Sequence, residues 1–182
     1  MTYYGAKEMA AAFRTVRANT IQIAEDIPAE RYDFRPSPDS RSVAETLAHI
    51  AFAHRLQSHI QQSRINHLQQ VNFPELIQAT AKLEAIPRTK AERLALLTSE
   101  GDTFATYLEG LPESFLAEPV RMMPGTTPAT KSRFEMLIGV KEHEMHHRGQ
   151  LMLMQRLLGI TPHLTRARQQ RAQAAATAAA GR

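Results

Sequence analysis

Four stretches of the chain space their apolar residues at the helical period of about 3.6, and three of them open with the same local signature. Between residues 5 and 26, Met9, Phe13, Val16 and Ile23 share a face, with Arg14, Arg17 and Glu25 between them, which predicts an amphipathic first helix. PAERYDFRPSPDSR follows with three prolines in fourteen residues and predicts a connecting loop. Ser42 to Glu45 then forms an S-x-x-E capping box, in which the Ser oxygen and the Glu carboxylate satisfy free amides at a helix start. The second helix is expected to run from there to about Gln62. Thr89 to Glu92 and Ser132 to Glu135 repeat the box before runs ending near Glu109 and Leu158, where Gly110 and Gly159 supply stops. Residues 63–88, punctuated by Pro74 and Pro87, leave open whether PELIQATAKLEAI is a short extra helix. Residues 111–131, with four prolines and Gly125, predict a long loop or short hairpin. The expected fold is all-α, a four-helix bundle with long connecting loops.

A chain of 182 residues suits one domain, here residues 1–163, followed by a basic Ala-rich tail at 164–182. The tail accounts for the basic isoelectric point. Removing Arg166, Arg168, Arg171 and Arg182 from the 22 basic residues leaves 18, equal to the 18 acidic ones. With its charge confined to a stretch ending AAATAAAGR, the tail reads as a disordered end rather than a DNA-binding arm, and no nucleic-acid partner is expected. No run of eighteen apolar residues occurs, so no membrane partner is expected either. There is no cysteine, which excludes disulfides, thiolate metal sites and a cysteine nucleophile, and suggests a cytoplasmic protein.

The chemistry concentrates in KEHEMHHRGQ, residues 141–150. His143 and His147 are separated on a helix by about 40 degrees and about 6 Å. Val140, Leu151, Met154 and Leu158 share their face, so the pair points into the bundle. In the second helix His49 lies among Ala53, Leu56 and Ile60. Buried imidazoles must satisfy their ring nitrogens, since an unpaired buried polar group costs roughly 1–3 kcal/mol. One metal ion between the two helices would serve all three; hydrogen bonds to each ring separately are the alternative.

The run also contains HExxH, the signature of zinc proteases, in which two histidines hold the metal and the Glu acts as base. Here it lacks the rest of that site. After Glu144 the chain has no Asp or Glu, and Gln150 stands where the longer HExxHxxGxxH pattern needs Gly. Glu144 also falls about 100 degrees from His143 on the helix wheel.

Taken together, FRPSPDSRSVAETLAHIAF and HEMHHRGQLMLMQRLLG resemble the DinB/YfiT-like family of four-helix-bundle metalloproteins over roughly residues 5–163. The resemblance implies a divalent metal, nickel or zinc foremost, with iron also compatible with imidazole ligands. Its ligands would be His49, His143 and His147, with His146 a neighbour outside the set. It implies a small-molecule substrate, possible thiol S-transferase or hydrolase activity, a low-molecular-weight thiol as partner, and a homodimer. The last helix carries a second apolar stripe, Phe134, Ile138, Met145 and Met152, suited to a dimer seam. Glu45, one turn before His49, is a candidate for orienting that ring. Gln150 is a candidate for lining the pocket, and Arg148 is expected at the surface or against a loop. No residue is assigned a catalytic role. Two other readings stay open: a non-enzymatic metal- or small-molecule-binding protein, and a dimeric interaction protein with structural histidines.

Overall fold

The computed structural model describes residues 4–180. Helix α1 covers Ala6–Asp26, α2 Val43–Phe52, α3 His54–Gln62, α4 Phe73–Glu84 and α5 Lys90–Glu109. The short α6, Glu113–Leu116, precedes strands β1, Pro119–Arg121, and β2, Thr130–Ser132. Helix α7, Arg133–Leu157, and α8, His163–Ala180, complete the chain. The bundle consists of α1, the α2–α3 rod, α5 and α7, with α1 packed on α5 and α7, and α2 on the same two. This is the all-α, four-helix-bundle architecture that the apolar spacing predicts.

All three capping boxes form. Ser42 Oγ accepts from the Glu45 amide at 3.2 Å while Glu45 accepts from the Ser42 amide at 2.9 Å. Thr89 with Glu92, and Ser132 with Glu135, make the same reciprocal pair. At the far end of α7, Gly159 adopts φ +79. The amides of Gly159 and Ile160 return to the carbonyls of Arg156 and Gln155, at 3.0 and 2.8 Å, the Schellman closure that requires a left-handed residue.

Two expectations are corrected and one open segment is resolved. The second rod is interrupted at Ala53, which keeps helical dihedrals (φ −56, ψ −30), so α2 and α3 are two pieces of one run. The tail is helical through Ala180 rather than disordered. Ala, Gln and Arg are strong helix formers, and the start of α8 is tied to α1. His163 Nε2 meets Asn19 at 2.9 Å, and Arg166 pairs with Asp26 at 2.8 Å. Gly181 and Arg182 lie outside the described residues. The open stretch 63–88 contains α4, whose N-cap Asn72 accepts from the Glu75 amide at 3.3 Å. Within 111–131 a two-stranded antiparallel hairpin pairs Val120 with Lys131.

The core has a middle layer around Ile23, Leu47, Ile50, Leu97 and Leu151. A second layer, around Phe13, Phe104 and Leu137, is locked by an edge-to-face contact of Phe13 and Phe104, centroids 5.0 Å apart. A smaller cluster under the hairpin joins Ile60, Leu68, Val120 and Met136. The second apolar stripe of α7 is largely consumed inside the chain. Phe134 and Ile138 pack on the second layer and Met152 on the first, leaving Met145 exposed. Among the described residues, no helix is long and apolar enough to cross a membrane.

Candidate metal centre

The capping box of α2 fixes where that helix starts, which places His49 two turns in. From α7, His143 and His147 project one turn apart toward the same point. The Nε2 atoms of His49 and His147 each lie 3.2 Å from Nε2 of His143. One ligand atom from each of the three rings lies within 4.8 Å of the others, a spacing that could hold a metal ion. His49 and His143 are partly buried and His147 is buried.

The outer nitrogens determine how the inner ones present themselves. Nδ1 of His49 is 2.9 Å from Glu84 Oε1, and Nδ1 of His147 is 2.8 Å from Gln150 Oε1. Both partners are acceptors at those atoms, so the ring protons sit on Nδ1 and the Nε2 lone pairs turn inward. Carboxylate–histidine contacts of this kind set the tautomer of metal-binding imidazoles. Nδ1 of His143 is buried without a partner among the described residues. Burial is the main cause that pushes the His143 pKa down to about 4, with the neighbouring His147 and His49 adding to it. Burial also lowers His147, against the opposing hydrogen bond to Gln150. Both rings are therefore neutral at pH 7, the form in which a histidine can donate a lone pair.

The remaining sequence candidates fall elsewhere. Glu45 does not reach His49; its carboxylate caps Ser42 and pairs with Arg35. His146 contacts Gln150 through Nε2 at 3.2 Å and stays outside the cluster. Glu144, the glutamate of HExxH, is 1% exposed and faces α1, where Arg17, 5% exposed, donates to it at 2.9 Å through Nε and at 2.9 Å through Nη2. Arg17 also donates to the Leu97 carbonyl at 2.7 Å and the Ile50 carbonyl at 3.3 Å, tying four helices together. Gly101 makes room for it: a Cβ there would stand 2.8 Å from Arg17 Cγ. Glu144 thus holds the bundle together and is turned away from the three histidines, as its position on the wheel requires.

Two residues at the site escaped sequence reasoning. Glu84 ends α4, in the stretch left open, and only an assignment of that helix against α2 would have pointed to it. Arg41, just before the Ser42 cap, lines cavities on both sides of the cluster. One cavity, of about 570 Å³, reaches His49 and His143 between α2, α3, α4, α7 and the hairpin. The other, of about 740 Å³, reaches His146 and His147 beside the loop that carries Arg35.

Fold and site together define a helical-bundle protein with converging histidines, and comparison with known proteins agrees on the fold. The model of the DinB superfamily matches residues 12–151, and the chain belongs to that superfamily. Among solved structures it is similar to the DinB-like protein YjoA of Bacillus subtilis, at 21% identity and TM-score 0.62, covering 85% of this chain and 94% of that one. It is also similar to YfiT of Bacillus subtilis, at 13% identity and TM-score 0.66, covering 88% and 91%. That protein is described as a probable metal-dependent hydrolase with an unusual four-helix bundle topology. A Streptococcus pneumoniae protein matches at 17% identity and TM-score 0.62, covering 86% and 93%. No curated protein matches the chain.

Proposed function

We propose that this chain is a divalent-metal-dependent enzyme acting on a small molecule, with His49, His143 and His147 as the protein ligands. The observation that carries the reading is the inward-facing lone pairs. Glu84 and Gln150 occupy the outer protons of two rings, so the shared point is bordered by acceptors, an arrangement that a cation relieves. Nickel and zinc suit an all-imidazole donor set, and iron is compatible with it. Three neutral ligands leave positions open, and an ion held this way would supply Lewis-acid chemistry, acidifying a water or thiol and polarising a carbonyl. The chain's own residues do the rest. Glu84 and Gln150 orient the rings, and the apolar walls of the 570 Å³ cavity limit water around a bound substrate. Hydrolysis of a small molecule is the first reading, in line with the description of YfiT.

A second reading, transfer of a low-molecular-weight thiol to an electrophile, is favoured by the cluster standing between two cavities, room for two reactants rather than one. The test has two stages. Protein purified without a histidine tag should contain about one divalent ion per chain by elemental analysis, and His143→Ala should lose it; a metal-free parent under replete conditions overturns the proposal. Loaded protein is then screened against esters and amides, and against thiols paired with electrophiles. Turnover that survives His49→Ala would show that the reaction lies elsewhere.

A further inference from the structure

The 570 Å³ cavity combines an apolar body with two cationic side chains that have no partner of their own. Its walls include Phe52, Leu56, Phe73, Leu76, Ile77 and Met136. Ile77 is 62% exposed there, an apolar side chain left uncovered by the described residues. Four charged residues line the same space: Arg41, Lys131, Glu84 and Glu135. Both carboxylates are engaged. Glu84 accepts from His49, and Glu135 accepts from the amide and hydroxyl of Ser132 at 2.7 and 2.8 Å. Neither cation has a hydrogen-bond or ion-pair partner among the described residues, in contrast to Arg35 in the adjoining loop, which is held by Glu45 and the Ser40 carbonyl. Arg41 stands where the two cavities adjoin the histidines.

From this we infer that the substrate is an amphiphilic anion: an apolar molecule bearing a carboxylate, its body against α3, α4 and the hairpin, its carboxylate received by the planar fork of Arg41. The inference rests on the histidine cluster being the reacting centre. A cavity of this size accepts a drug-sized molecule, and the unpaired guanidinium of Arg41 and ammonium of Lys131 offer donors to a carboxylate, while the two carboxylates of the lining already accept hydrogen bonds. Held by Arg41, the head group brings the adjoining part of the molecule next to His49 and His143, whereas the distal end is free to extend along Leu76 and Ile77 toward solvent.

The experiment is calorimetric titration of the zinc-loaded full chain with hexanoate, octanoate and decanoate, and with 1-octanol and octylamine as neutral and cationic counterparts. Octanoate should bind in preference to octylamine, and each added methylene should tighten carboxylate binding roughly fourfold until the cavity is filled. Arg41→Gln should weaken octanoate roughly tenfold, leave 1-octanol unchanged and retain the zinc. Equal binding of octanoate and octylamine, or no dependence on chain length, overturns the inference. The same titrations on metal-free His143→Ala separate the two proposals. Carboxylate preference that persists there and falls with Arg41→Gln supports the Arg41 anchor whatever the fate of the metal reading. Preference that vanishes with the metal and ignores Arg41→Gln means the ion itself receives the anion, which sinks this inference and leaves the metal reading standing.

Discussion

Replacing Glu144 separates two meanings of HExxH. If it were the base of a protease-like site, Glu144→Ala would abolish reaction and leave stability alone. The structure requires the reverse. Arg17 and Glu144 are 5% and 1% exposed, and the carboxylate accepts from both Nε and Nη2 of the guanidinium. Removing it leaves a buried cation with the Leu97 and Ile50 carbonyls as its remaining partners. Breaking a buried pair from one side costs about 3–5 kcal/mol, because the surviving charge stays desolvated. For a chain of this length that corresponds to a fall of roughly 6–20 °C in melting temperature. Thermal melts followed by circular dichroism, with urea titration as a second measure, would read it. The double variant Arg17→Met with Glu144→Leu should regain most of the loss, because both charges leave together. Metal content of folded Glu144→Ala should match the parent. A melting temperature within about 2 °C of the parent, less than 1 kcal/mol by the same scaling, would refute the assignment of Glu144 to the bundle.

Glu84→Ala should weaken metal affinity roughly 10–100-fold in competition with a chelator, since the His49 ring loses the partner that fixes its tautomer; unchanged affinity would remove Glu84 from the site. Gly101→Ala should destabilise by about 1–3 kcal/mol in urea, because the new methyl stands 2.8 Å from Arg17 Cγ in a packed interior, and a neutral result would mean that Arg17 has slack. The metal-free chain should lose stability as pH falls from about 6.5 toward 4. His143 titrates near 4 when folded and near 6.5 when unfolded, so the unfolded state takes up the proton first and gains on acidification. The slope should be shallower in His143→Leu, and equal slopes in melting temperature against pH would refute this.

Much of the bundle was legible because its signals are local. Each capping box needs two side chains three residues apart, and each helix start it marks is present. His143 and His147 were legible for the same reason, since a helix fixes their relative direction without any tertiary knowledge. Bringing His49 to them needed one further assumption, that the apolar faces of α2 and α7 meet. What stayed hidden depends on contacts far apart in sequence: Glu84 reaches His49 across 35 residues, and Arg17 reaches Glu144 across 127. Glu45 misled for an instructive reason. Its place one turn before His49 is right for a second ligand sphere, but Arg35, ten residues earlier, claims its carboxylate. In the tail, the helix propensity of alanine outweighs the low complexity that points to disorder.

Helix α4 contributes no buried residue to the core, yet it supplies both the Leu76 and Ile77 side of the 570 Å³ cavity and, at its last residue, the Glu84 carboxylate. Phe73 and Leu76 pack on the small cluster under the hairpin, so part of the anchorage of α4 comes from what lies beneath it. A guest pressed against its apolar side steadies the acceptor that aligns His49, and a well-aligned His49 in turn holds α4 over the guest. By reciprocity of coupled equilibria, a guest in the hollow and an ion at the imidazole trio, each bound as proposed, would strengthen each other by one common factor.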